Sequence, residues 1–236
     1  MRYPLTFTSA QMELRITRGF TAPYIVHQLV ADLVPDREGR GYLYRVTNHG
    51  QREVEALVLS EEPPVPAPPE RPWGTTVRHR SKPFDPQLGE GTVLDFEIRL
   101  NATRTVTYQE ITHGTKTKKR CDVWDAVLEG DRDDPRSPHD VYRSYLERKL
   151  DACAEIREAR LTERGQVRAR RADRKRPILF VATNLVGTLR VTEPDAFRST
   201  LALGIGRAKA FGCGLLCLSR PGTVLARRRS GGGLCP

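Results

Sequence analysis

Long apolar runs are missing from this chain of 236 residues: no stretch of about 18 hydrophobic residues occurs, so the sequence offers no membrane-spanning helix. The segment from Met1 to Phe7 lacks the basic start and apolar block of a secretory signal. Cysteine is scarce. Its five residues form an odd, scattered set that gives no disulfide framework and predicts a reduced, cytoplasmic protein. Metal and nucleophile motifs are missing as well. His27, His49, His79, His113 and His139 make no H-x-H or H-E-x-x-H pattern, there is no paired Asp cluster, and no G-x-S-x-G occurs. Cys213 and Cys217 have no His or Cys pair near them and read as buried thiols, so neither a metal nor a cofactor is expected.

What is present is positive charge. Lys and Arg number 39 against 29 Asp and Glu, a formal net charge of +10, with a pI near 9.7. Hydrophobic residues make up 38% and charged residues 29%, which is too apolar for a disordered chain and ordinary for a globular one. The length suits one large domain or two small ones. An excess of positive charge points to a polyanionic partner, nucleic acid before membrane, since no strongly basic amphipathic helix stands at either end.

Period-two alternation predicts a first strand over Met12–Arg18. A helix follows over Thr21–Val34, with Thr21 as its cap, Pro23 in its first turn and Pro35 at its end. Strands over Gly41–Thr47 and Glu53–Leu59 flank a turn at Asn48, His49 and Gly50. Six prolines between Pro63 and Pro72 exclude a helix there and predict an extended connector in its place, with Thr75–Arg80 as a fourth strand. The pattern breaks between Phe84 and Gly91. Beyond it a strand is predicted over Thr92–Asn101, then a basic loop. A helix from Ser137 to Leu161 carries Val141, Tyr145, Leu146, Leu150, Cys153 and Ile156. Strands follow near Gln166–Arg171 and Pro177–Ala182, the second continuing through Leu185–Val191, then a short helix from Glu193 and a closing strand at Leu215–Leu218. Each half reads as β-α-β-β-(α)-β. The expectation is an α+β chain of two tandem ferredoxin-like domains, residues 1–90 and 91–222, with antiparallel sheets and helices on one face, and a disordered basic tail over 223–236.

The first helix carries the most informative pattern. At 100° per residue, Ile25, Val26, Leu29, Val30, Leu33 and Val34 form one apolar arc, and Tyr24 and His27 fall on the other side only about 60° apart. An imidazole gives or takes a proton near neutral pH, and a neighbouring phenol donates to an anionic oxygen or orients a hydroxyl. The same two residues also fit a surface His beside a half-buried Tyr with no chemical task.

Gly204, Gly206, Gly212 and Gly214 punctuate a segment that also holds Arg207 and Lys209. Its spacing matches neither a Walker loop nor a dinucleotide fingerprint. The glycines permit close backbone approach and the two cations add charge for phosphates, the plainer alternative being a flexible turn into the last strand. Two basic clusters lie in the same half. One is Lys116, Lys118, Lys119 and Arg120; the other runs from Arg157 to Arg176 and includes Arg168, Arg170, Arg171 and Arg174. Together they predict a phosphate-tracking surface, with Arg168, Arg170 and Arg174 on one side of a hairpin strand.

These residues carry a family likeness. The sequence resembles the CasE (also called Cse3) family of CRISPR-associated endoribonucleases, the crRNA-processing subunit of the type I-E Cascade complex, over nearly the whole chain to about Arg220. The carriers are Gly204–Gly214 with Leu215 and Leu216 after it, and Pro23–His27, where the family places a catalytic Tyr and His three apart. Lys119 and Arg120 before Cys121, and the basic 168–176 hairpin, support it. The resemblance implies tandem ferredoxin-like, RRM-related domains. It also implies metal-independent cleavage of a CRISPR repeat RNA at the 3′ base of its hairpin, by attack of the ribose 2′-hydroxyl, giving 2′,3′-cyclic phosphate and 5′-hydroxyl ends. Tyr24 and His27 would be catalytic, with His27 as general base or general acid; the sequence does not show whether Arg15, Arg18 or Lys116 assists at the scissile phosphate. The crRNA and the other Cascade subunits would be the partners, and DNA would be met only through the complex. A non-catalytic RNA-binding subunit, or an RRM-like protein associated with ribosomes or tRNA, uses the same fold and charge.

Overall fold

The computed structural model describes residues 5–15, 21–34, 41–50, 52–109, 116–130, 133–170 and 176–222. Two antiparallel four-stranded sheets form, each covered by helices on one face. The first comprises β1 (Leu5–Leu14), β2 (Tyr42–His49), β3 (Glu53–Ser60) and β4 (Gly74–Phe84) in the order β2-β3-β1-β4, with α1 (Ala22–Leu33) between β1 and β2. Ile25, Val26, Leu29, Val30 and Leu33 are buried along α1 and pack on Ala10, Met12 and Leu14 of β1 and on Tyr44 and Val58. Full burial contributes about 1.5–3 kcal/mol per large apolar side chain, well above the few tenths that separate helix propensities, so packing holds this helix. The proline segment takes the place of a second helix and lies along α1. The Val65 amide donates to the Leu33 carbonyl at 2.9 Å, and Arg71 grips Asp32 with two hydrogen bonds of 2.7 and 2.8 Å.

The second half begins with β5 (Val93–Leu100), a separate hairpin made of β6 (Thr103–Gln109) and β7 (Lys116–Asp122), then α2 (Val123–Gly130) and α3 (Pro138–Leu150). It continues with β8 (Ala154–Ala169), β9 (Ile178–Val191), α4 (Pro194–Leu203), a 3-10 turn at Lys209–Phe211 and β10 (Leu216–Ser219). The order of its sheet, β10-β5-β9-β8, repeats that of the first sheet, with the hairpin β6–β7 outside it. Phe96, Ile98, Leu100, Leu189 and Val191 pack against Tyr142, Leu146 and Leu150 of α3 and Phe197 and Leu201 of α4. The face of the first sheet away from α1 presents Leu5, Leu43, Leu57 and Leu59, which cluster with Leu215 of the second half. A buried ion pair between Arg45 of β2 and Glu97 of β5 crosses the same boundary. This is the α+β, tandem ferredoxin-like architecture expected from the sequence. None of the described helices is long and apolar enough to cross a membrane.

Three local expectations are corrected. The first strand is Leu5–Leu14 rather than 12–18; its leading residues read as weakly patterned because Thr and Ser alternate with a few apolar groups. The expected helix over 137–161 ends at Leu150, and Ala154 onward is the long strand β8. Register shifts at Ile156/Glu158 and Leu161/Glu163 break the period of two, which made Cys153 and Ile156 look helical. The basic segment Lys116–Arg120 is no loop but strand β7, paired residue for residue with β6.

Candidate active site and nucleic-acid interface

Because α1 turns its apolar arc to the sheet, Tyr24 and His27 emerge on the other side, both half-buried. Their ring centroids lie 6.2 Å apart in an edge-on arrangement. The next ring is Phe211, 5.9 Å from His27, and Phe211 in turn lies 5.6 Å from Phe180 of β9. A file of four aromatic rings thus joins α1, the glycine-rich segment and the strand leading out of the basic hairpin. Phe211 was not foreseen; an aromatic inside a glycine-rich segment was the only local signal.

The N-terminus of α1 is fastened to the same hairpin. Thr21 occupies the cap position in extended backbone, yet its hydroxyl makes no cap bond. It accepts instead from the Arg170 amide at 3.0 Å, while the Thr21 amide donates to the Arg170 carbonyl at 3.4 Å. Beneath this junction lies a small cavity of about 140 Å³ whose walls include Pro23, Val26, Val167, Arg99 and Phe211.

Further along β8, Arg164 roots the hairpin in the helices. It donates to the Tyr142 hydroxyl at 2.8 Å and to Asp125 at 2.5 Å, and Tyr142 donates to Asp122 at 2.6 Å. Burial, helped by the bond to Asp122, pushes the Tyr142 phenol up to about 12. Burial works to lower the Arg164 pKa, but its bond to Tyr142 and the nearby carboxylates of Asp125 and Asp122 leave it raised. Arg164, though itself exposed, is therefore tied into the framework by its partners; Arg168 and Arg170 are exposed as well. Arg171 and Arg174 lie outside the described residues.

The glycine-rich segment wraps the edge strand β2. Adjacent strand residues point to opposite faces, and the loop touches both: a Cβ on Gly204 would stand 2.7 Å from Leu43 Cδ1, and one on Gly212 3.3 Å from the Tyr44 ring. The Tyr44 hydroxyl closes the wrap by donating to the Ala210 carbonyl at 2.7 Å. The amides of Gly204, Gly212 and Gly214 donate to the carbonyls of Thr200, Lys209 and Arg99, so these three N–H groups are occupied within the chain. Burial pushes the Cys213 thiol in this loop up to about 11, against the pull of Arg99 and Arg45. What the loop turns outward is Arg207, exposed, and Lys209, whose ammonium donates to the Leu203 carbonyl at 2.6 Å.

The predicted residues therefore gather in two places. His27, Gly212 and the hairpin residues Val167 and Phe180 gather around Phe211, with Tyr24 beside His27 and the Arg170 backbone bonded to Thr21; Arg168 is exposed on the same strand. Arg120, Gly204, Gly206, Arg207 and Lys209 line a separate cleft. Lys118 is exposed on β7, and Lys119 lies 4.0 Å from Glu129. Of Arg15, Arg18 and Lys116, the first is paired with Glu70 at 2.8 Å; Arg18 and the Lys116 side chain lie outside what is described. No group of three or more His, Cys, Asp or Glu able to hold a metal ion occurs among the described residues.

Comparison with solved structures gives matches along the length of the chain. The CRISPR-associated protein Cas6e from Escherichia coli K-12 aligns with a TM-score of 0.66 at 20% identity, covering 90% of this chain and 99% of that one. Thermus thermophilus Cse3, bound to an RNA representing a pre-cleavage complex, aligns at 0.64 and 21%, covering 92% and 100%. A chain of a CRISPR RNA-guided surveillance complex aligns at 0.61 and 20%, covering 90% and 99%. These likenesses establish a shared fold. No curated protein sequence matches. The model of the CRISPR associated protein family matches residues 4–220, nearly the full length, and the chain belongs to that family.

Proposed function

We propose that this chain is an endoribonuclease that cuts a CRISPR repeat RNA at the 3′ base of its hairpin, without a metal ion, and keeps the product as a subunit of an RNA-guided surveillance complex. The observation that carries this reading is the Tyr24–His27 pair, edge-on at 6.2 Å and coupled through Thr21 to the exposed arginines of a basic hairpin. The fold shared with an RNA-bound Cse3 and with a surveillance-complex chain supports the substrate class and the partners.

The chemistry follows from those groups. The ribose 2′-hydroxyl at the scissile nucleotide attacks the adjacent phosphorus in line. The O–P bond that forms closes the 2′,3′-cyclic phosphate, and the bond to the 5′-oxygen of the next nucleotide breaks. His27 takes the 2′ proton or gives one to the departing 5′-oxygen, and either role contributes about 10²–10⁴-fold. Tyr24 donates to the charge that builds on the non-bridging oxygens. Arg168 and Arg170 hold the stem by its phosphates, beside the helix that carries the reacting pair. Lys118 and Lys119 of β7 add exposed positive charge, and Lys116, Arg171 and Arg174 are expected from the sequence to contribute to phosphate binding.

A repeat RNA with a single 2′-deoxy at the scissile nucleotide tests the mechanism: it binds and stays intact, and its cleavage would end the proposal. Activity persists in excess chelator; a requirement for Mg²⁺ counts against it. If wild type and His27→Ala both bind the RNA and leave it whole, the chain is a binding subunit only.

A further inference from the structure

We propose that the cleft lined by Arg120, Lys149, Arg207 and Lys209 is a second RNA site, which holds the single-stranded flank of the hairpin by its phosphates and does not read its bases. The identity of the ligand as RNA rests on the function proposed above; the geometry of the cleft does not.

The cleft encloses about 520 Å³ between the hairpin β6–β7, the C-terminal end of α3 and the outer side of the glycine-rich segment. Among the described residues, neither Tyr24, His27 nor Phe211 lines it, so the two sites lie on different sides of the same loop. Four cations converge there from three elements, and no Asp or Glu is among the described residues of its walls. Like charges gathered in a concavity repel one another, and the arrangement is favourable only with an anion between them. Lys149 adds a charge that the sequence pattern did not single out; its ammonium lies 5.8 Å from the centre of the Tyr145 ring.

Size and lining decide the occupant. The volume lies in the range of about 300–1,000 Å³ that suits small ligands, enough for a nucleotide or two of one strand. Three elements supplying cations match successive phosphates better than one isolated anion. Single-strand sites that engage bases present an open aromatic face. Here Tyr145 is 6% exposed and covered by Lys149, and threonines 103, 105 and 200 supply hydroxyls in its place. Backbone contact without base readout follows. The glycine-rich segment joins the two sites, lining this cleft at Arg207 and Lys209 and the small cavity beside the hairpin at Phe211 and Gly212.

The test uses the full chain and two labelled single-stranded probes, hexauridylate and hexa-adenylate, read by fluorescence anisotropy across a salt series. Wild type is expected to bind both within about twofold, with log affinity falling against log salt by about 0.7 per phosphate held. Lys149→Gln weakens both about fivefold and Lys149→Gln/Arg120→Gln more than tenfold, while Lys149→Arg restores binding. Both positions are exposed, so the fold survives the substitutions. His27→Ala binds the probes as wild type does. Unchanged binding by the double variant overturns the proposal, as does a tenfold preference between the probes or an equal loss in His27→Ala. Displacement of the RNA by an oligoglutamate peptide at matched charge overturns it in favour of an acidic protein segment. Failure of wild type to cut repeat RNA would strike the proposed function alone and leave the hexanucleotide result standing.

Discussion

The Thr21 hydroxyl accepts a hydrogen bond from the Arg170 amide at 3.0 Å, across 149 positions of sequence. This bond ties the first turn of the helix bearing Tyr24 and His27 to the mouth of the basic hairpin, so under the proposed function RNA held by the hairpin would be placed against these two side chains. Thr21→Val keeps the shape and removes the acceptor. The variant is expected to lose about 0.5–1.5 kcal/mol of stability. Its single-turnover cleavage rate should fall more than its affinity for repeat RNA, because alignment rather than grip is lost. An equal fall in both would show that the junction serves binding alone.

Phe211 packs beside His27, their ring centroids 5.9 Å apart. Phe211→Ala leaves the imidazole with freedom to rotate and opens the small cavity beside Val26 and Val167. Cleavage is expected to drop at least tenfold with little change in Kd, and Phe211→Leu to recover part of it by refilling the space. Rates under enzyme excess, set beside anisotropy titrations, separate the two effects.

Gly204 and Gly165 make a matched pair for thermal denaturation. Gly204 has a φ of +70°, and a Cβ there would meet the buried Leu43 side chain at 2.7 Å and the Gly214 carbonyl oxygen at 3.0 Å. Gly204→Ala should cost about 1–3 kcal/mol and loosen the wrap around β2. A Cβ on Gly165 meets nothing within 4 Å, so Gly165→Ala should be neutral or stabilising by a few tenths of a kcal/mol.

How far these features were legible depended on how local their causes are. The arc of α1 was plain, since Ile25, Val26, Leu29, Val30 and Leu33 repeat at helical spacing and are the residues buried. The same pattern put Tyr24 and His27 off that arc, together with Gln28, Ala31 and Asp32, and only the family resemblance singled the two out. The ferredoxin-like order was legible because apolar segments bounded by turn residues mark β2, β3, β5 and β9, of which β3, β5 and β9 are buried in continuous runs. Strand β8 was misread past Leu150: Glu, Arg and Ala favour a helix locally, and pairing with β9 overrides that preference. Thr21 looked like a cap from its neighbours, but its hydroxyl is claimed by Arg170, a partner no local pattern announces. Phe211 and Lys149 acquire their places only when loops and helices distant in sequence close together.

Alkaline pH probes the root of the hairpin. Tyr142 is fully buried, its hydroxyl donates to Asp122 and accepts from Arg164, and its pKa is raised from 10.0 to about 12, chiefly by burial. In the unfolded chain the phenol loses its proton near pH 10, whereas the folded protein retains it. Above that point the folded state binds more protons than the unfolded one, so stability falls as pH rises through the window from about 10 to 12. Below pH 10 both states carry the proton and the effect vanishes. Urea denaturation at pH 8, 10 and 11 should show this decline, and Tyr142→Phe should be less stable than wild type at pH 8 but flatter in its response above pH 10. A parallel decline in the variant would assign the alkaline sensitivity to other groups and leave Tyr142 as a packing residue with one hydrogen bond.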